Sequence, residues 1–242
     1  IGIELDPRLI VCVSFNNQCW RHAIADPDCS VNREFRKLYL QWKERGVRMY
    51  NRDEIAASGS VGSNFLPAER ILRQNFRDYP ELGLQGSSFC IVPPPPEAEV
   101  YAPLRRGMMS ERNLQWAAMW QTNYLSAQLM FDSTLDFNAL YEECNSLFYG
   151  KGWEGGMKAF RALLTKTFVE TPGCMGWGLG APLGRCLDEP GVWEELKALL
   201  AKAEQAAAED PDPRALVHVQ RERDIFAYTW EAARVAYLAS YR

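Results

Sequence analysis

The sequence predicts a mixed fold: the C-terminal part of a TIM-like (β/α) barrel over residues 1–110, followed by an α-helical domain over 111–242. Three observations lead there. Short β-branched apolar runs alternate with helix-period segments up to residue 92. From residue 111 the apolar spacing is helical throughout. The chain also opens on "IGIELDPRL", without a methionine, and runs almost at once into a strand, so it reads as a piece of a longer protein.

The elements follow in order. "RLIVCVSF" (8–15) is a compact apolar run of strand character. "NREFRKLYLQWKERG" (32–46) places Phe35, Leu38, Tyr39 and Trp42 on one helical side and stops at Gly46. "VRMYN" (47–51) is a second strand, and "LPAERILRQNFRDYPELG" (66–83) holds a helix with Pro67 suited to its first turn. "LQGSSFCIV" (84–92) is the third strand, closed by four prolines at 93–96. Strands separated by single helices pair in parallel through crossovers. Three strands alone cannot close a barrel, which needs eight βα units. The alternatives are a small open sheet or the end of a barrel, and the opening of the chain favours the barrel.

Helices follow at "ERNLQWAAMWQTNYLSAQLMF", "DFNALYEECNSLFYG" and "GMKAFRALLTKTFVE". Residues 171–189, "TPGCMGWGLGAPLGRCLDE", are glycine-rich and read as a long loop. Two more helices end the chain, the last announced by Asp212-Pro213, a capping residue before a proline at the first helical position.

Composition limits the functions open to this chain. With 47% hydrophobic residues it can bury a core, and a net charge of -4 with scattered basic residues predicts no nucleic-acid partner. No apolar run is long enough to span a bilayer. Seven cysteines without a regular framework argue against a disulfide-built scaffold.

The stretch "NNQCWRHAIADPDCSVN" (16–32) concentrates the chemistry. Cys19, His22 and Cys29 suggest zinc, but three ligands without a fourth leave the shell incomplete, so neither metal nor cofactor is expected. A Cys19–Cys29 disulfide stays open, because connectivity cannot be deduced from spacing. Position favours a third reading. In parallel α/β architectures ligands sit beyond the C-terminal strand ends. Asn16, Asn17, Trp20 and His22 follow the first strand, and Tyr50 and Asn51 end the second. Amides and an imidazole beside aromatic rings suit a sugar, so these six form a candidate carbohydrate-binding set. Trp20 packed in the core, with the asparagines satisfying turns, is the alternative. Asp53 and Glu54 are the nearest catalytic carboxylates, but neighbours on an extended segment point opposite ways, and glycoside hydrolysis needs a facing pair. Trp116, Trp120 and Tyr124 at helical spacing suit a core stripe better than a stacking ledge. His218 on the final helix reads as structural.

A strand followed by "CWRHAIADPDCSVNREF", then "VRMYNRDE", "ELGLQGSSF" and "LMFDSTLDFNALYEECNSLFYG" resembles a bacterial family, domain of unknown function 4838, a glycoside-hydrolase-like group. The resemblance covers roughly residues 8–170. It implies a barrel-type, carbohydrate-active protein that acts on or binds polysaccharide, exported to the periplasm or beyond. Where the family ends its second strand here with an aspartate-tyrosine pair, this chain has Asn51-Arg52. Two functions stay open: a glycoside hydrolase, or a non-catalytic glycan-binding or scaffolding protein with a degenerate site.

Overall fold

The computed structural model describes residues 6, 8–14, 18–53, 67–89, 119–175 and 189–239, with 53, 89 and 228–239 described as backbone only. Three strands form one parallel sheet in the order β1 (Ile10–Val13), β2 (Arg48–Asp53), β3 (Leu84–Phe89). Val13 sits opposite Asn51, and Asn51 opposite Ser87. Helices α1 (Ser30–Glu44) and α2 (Glu69–Asp78) lie between successive strands in sequence. The helical region comprises α3 (Trp120–Phe131), α4 (Phe137–Tyr149), α5 (Lys158–Glu170), α6 (Val192–Ala207) and α7 (Pro213–Ala239). A glycine-rich π-helical turn, Trp153–Met157, leads directly into α5.

The barrel expectation is wrong. The molecule is helix-rich, 63% helical, with one small three-stranded sheet where a TIM barrel has eight strands. Alternation of strand and helix dictates parallel pairing, and that part holds. It does not dictate how many strands join or whether they close. Among the described residues no helix is long and apolar enough to cross a membrane.

Local chemistry explains the helix boundaries. The Asp136 carboxylate caps α4 by accepting the N–H groups of Asn138 and Ala139 at 2.9 and 3.3 Å. Asp212 accepts the Arg214 N–H at 2.9 Å, and Pro213 opens α7 at the position where a missing N–H costs nothing. Gly150 ends α4 at φ 53, a left-handed conformation that glycine adopts without strain. On α6 the buried stripe Val192, Leu196, Leu200, Ala203 and Ala207 recurs at helical spacing. Its alanines admit the turn before α5 so closely that a Cβ at Gly156 would collide with the Leu199 carbonyl.

Two apolar clusters form the core, and each draws on both halves of the chain. One gathers Val13, Met49 and Leu84 of the sheet with Tyr39, Leu72 and Phe76, and with Leu125, Leu129 and Phe137 of α3 and α4. The other joins α5, α6 and α7 to Trp20, Ala68 and Ile71. Trp120 and Tyr141 pack against both.

Near Tyr141 lies a buried charge network. Arg161 of α5 is 2% exposed and donates to Glu69 of α2 at 3.1 Å and to Glu222 of α7 at 2.6 Å. It also donates to the Tyr149 hydroxyl at 3.1 Å and to Gln121 Oε1 at 3.0 Å. Tyr149 in turn donates to Glu222 at 2.9 Å. Burial pushes both carboxyls above their ordinary range, and the Arg161 charge opposes that shift.

Removing the cation should therefore be severe. Arg161→Met leaves two carboxyls buried without a counter-charge, and loss of one partner of such a pair costs about 3–5 kcal/mol. A carboxyl whose folded pKa is raised contributes stability that is full below its unfolded value, near 4.5, and lost as pH rises through the folded value. The deficit of Arg161→Met against the unaltered protein should widen from pH 5 to pH 8. Thermal unfolding across that range checks it, and a constant deficit would show that the carboxyls do not titrate in this window.

Candidate metal centre

The loop after β1, the start of α1 and the segment after α5 meet at one point. Cys19 Sγ, a ring nitrogen of His22, Cys29 Sγ and Cys174 Sγ all lie within 4.8 Å of one another. Cys19 Sγ is 3.2 Å from His22 Nδ1, and Cys29 Sγ is 3.7 Å from Cys174 Sγ. Zinc bonds of roughly 2.1–2.3 Å in a tetrahedron imply ligand–ligand edges of about 3.4–3.8 Å; the Cys29–Cys174 separation falls in that range and the Cys19–His22 one just below it, with all four atoms close enough for small shifts to seat an ion among them. Cys19 and Cys29 are buried, while His22 and Cys174 are half-buried.

Each ligand is held in place by the residues around it. Asn32, buried on the first turn of α1, works as a clamp for the whole loop. Its Oδ1 accepts the Cys19 N–H at 2.7 Å, and its Nδ2 donates to the carbonyls of Cys19, His22 and Ala23 at 3.0, 2.8 and 3.0 Å. Cys29 occupies the N-cap of α1, and its sulfur accepts the Asn32 N–H at 3.4 Å. That position places it against the positive end of the helix dipole, which favours a thiolate. Asp26 shapes the intervening turn by accepting the Asp28 N–H at 2.9 Å.

The fourth ligand arrives from far along the chain. Gly173, at φ 96, turns the backbone after α5 so that Cys174 projects toward Cys29. Met175 N–H donates to Cys19 Sγ at 3.4 Å, and Trp20 N–H donates to the Met175 carbonyl. Arg21, 1% exposed, spreads one Nη1 over the carbonyls of Thr171, Pro172 and Gly173 at 3.1, 3.0 and 3.1 Å. The two segments are thus joined by backbone and guanidinium contacts as well as by ligand positions.

Burial is the first cause that raises the Cys19 thiol pKa and pushes Cys29 up to about 12, with N–H donors opposing it. A cation bound among the three sulfurs would hold them as thiolates. Four protein donors also close the shell. A closed Cys₃His set is a structural arrangement, since a catalytic zinc keeps one position for water.

The candidate glycan-binding residues are spread over several environments. Trp20 is fully buried in the helical core cluster. His22 belongs to the metal cluster. Asn51 is 1% exposed, its Oδ1 accepting from the Tyr39 hydroxyl at 2.7 Å and its Nδ2 donating to the Tyr79 hydroxyl at 2.9 Å. The half-buried Tyr50 ring lies against Gly86, where a Cβ would strike it. Asn16, Asn17, Glu54, Trp116 and Trp177 lie outside the described residues, and Asp53 is described as backbone only. His218 stacks on Phe148 with ring centroids 3.8 Å apart, and its Nδ1 lies 2.6 Å from the Phe148 carbonyl oxygen.

Two sequence expectations about the loop are revised by this geometry. The sequence offers three ligands in the opening loop, and the fold brings Cys174 to them as a fourth donor. Cys19 and Cys29 are free thiols, and the sulfur beside Cys29 is that of Cys174. Asn32 escaped the sequence reading too, because an asparagine at a helix start looks like an ordinary capping residue. Compared with family models, with curated proteins and with solved structures, the chain gives no match.

The Asn32 clamp generates its own test. Outer-shell partners of this kind typically carry 10–100-fold in metal affinity. Asn32→Ala should weaken zinc binding by about that factor, measured by competition with a chromophoric chelator. Unchanged affinity would show that the loop holds its shape without the clamp.

Proposed function

We propose that this protein binds one zinc ion through Cys19, His22, Cys29 and Cys174, as a structural centre that fastens the loop after β1 to the segment after α5. The observation that carries this reading is the convergence of four nitrogen and sulfur donors within 4.8 Å of one another. Donor chemistry selects the metal. Thiolate and imidazole in a tetrahedral set suit zinc, whereas magnesium, calcium and manganese favour oxygen ligands. With all four positions filled by protein, the ion offers no site for substrate. Its work is to join chain segments that are far apart in sequence. Of the residues expected to orient a glycan, His22 stands among these four donors and Trp20 and Asn51 are buried, so we favour the metal reading over the carbohydrate one.

The full chain, purified without chelators under reducing conditions, should carry close to one zinc by elemental analysis. Cys174→Ser should lose most of it, and chelation should lower the unfolding temperature of the parent protein while leaving Cys174→Ser nearly unchanged. Replacing zinc with cobalt should give thiolate-to-metal charge-transfer absorption with tetrahedral visible bands. Protein that purifies free of metal, takes up none on addition and unfolds identically with or without zinc would sink the proposal.

A further inference from the structure

Two sulfurs of the cysteine cluster are in contact. Cys29 Sγ and Cys174 Sγ stand 3.7 Å apart, although 145 residues separate them in sequence. A disulfide between them asks for an approach of about 1.7 Å, since an S–S bond is roughly 2.0 Å long. The backbone beside Cys174 has room for it: a side chain added at Gly173 would meet nothing within 4 Å.

The third sulfur is held by other partners. Cys19 Sγ lies 3.2 Å from His22 Nδ1 and accepts the Met175 N–H at 3.4 Å. Exposure also separates the three. Cys19 and Cys29 are buried, whereas Cys174 is half-buried. A small oxidant arriving from solvent therefore meets Cys174 first, and the sulfur in contact with that one belongs to Cys29.

We infer that Cys29 and Cys174 are a peroxide-sensitive pair whose oxidation to a disulfide expels the zinc ion, the expulsion resting on the zinc reading above. Cys174 Sγ attacks one oxygen of hydrogen peroxide and the O–O bond breaks. The departing hydroxide leaves as water, taking the thiol proton or, from a zinc-bound thiolate, a proton of the solvent. Cys29 Sγ then attacks the sulfenic sulfur of Cys174, the S–O bond breaks, and a second water leaves in the same way. Each sulfur gives up one electron and the peroxide takes both. Zinc is left with Cys19 and His22, half of a tetrahedral shell. The new bond joins the start of α1 to the segment after α5, so one fastening replaces the other.

The test treats the zinc-loaded full chain with near-stoichiometric hydrogen peroxide. Released metal is read with a chromophoric chelator, and disulfides are mapped by peptide mass spectrometry after free thiols are blocked. One zinc should leave for each Cys29–Cys174 disulfide formed, and a dithiol reductant should restore binding. Oxidised, zinc-free protein should unfold at a higher temperature than reduced, zinc-free protein, because the crosslink restricts the unfolded chain. Cys19→Ser should still form the crosslink despite weaker zinc binding. Cys29→Ser, which keeps a capping oxygen at the start of α1, should show no rise in unfolding temperature on oxidation. Zinc retained under peroxide, release without this disulfide, or a main product that involves Cys19 would overturn the inference and leave the zinc centre standing. Reduced protein that takes up no zinc would overturn the centre and the release together.

Discussion

A single buried guanidinium organises this molecule. Arg161 must keep its charge in a core where an unpaired cation would be intolerable, so whatever surrounds it must supply acceptors. Glu69 of α2, Glu222 of α7, Tyr149 of α4 and Gln121 of α3 do so. Five helices are thereby held in one mutual register around a planar group whose donors have fixed directions. Apolar packing alone tolerates sliding of one helix over another. A buried fork with named acceptors does not, and this is why both apolar clusters can include residues from either half of the chain.

The metal centre extends that organisation to the far end of α5. The segment leaving α5 passes under Arg21, whose three carbonyl contacts orient it, and then presents Cys174. Its sulfur lies beside that of Cys29, 145 residues earlier in sequence. Closing a loop of this length costs entropy that grows only slowly with length, and most of it is already spent by the packing of α2 against α3 and α5 against the core. A zinc ion bound there would therefore act on segments held nearly in place. Its contribution would be to convert neighbouring thiols into ligands and to fix the loop on which Trp20 enters the core.

Much of the secondary structure could be read from the sequence, and particular residues show why. Asp136 before a helical run, Asp212-Pro213, and Gly46 after Trp42 are local signals whose meaning depends on few distant contacts. Parallel pairing of β1, β2 and β3 followed in the same way from strands alternating with helices. The barrel did not follow, since closure depends on how many strands assemble, and no local pattern encodes that number. The polar residues at the strand ends were also ambiguous. Asn51 has the chemistry of a ligand-binding amide, but the two tyrosines that satisfy it come from α1 and from the end of α2. Cys174 was hidden for a simpler reason: it sits in a glycine-rich loop far along the chain from Cys19 and Cys29, and only the tertiary fold shows which sulfur it faces.

If four side chains from three segments enclose one ion, the ion's own coordination shell will show it. Zinc K-edge X-ray absorption on the purified full chain should show three sulfur neighbours at about 2.3 Å and one imidazole nitrogen at about 2.0–2.1 Å. The imidazole should drop out of the shell in His22→Ala. A shell of oxygen and nitrogen alone, or one unchanged when Cys174 is replaced, would rule out this centre.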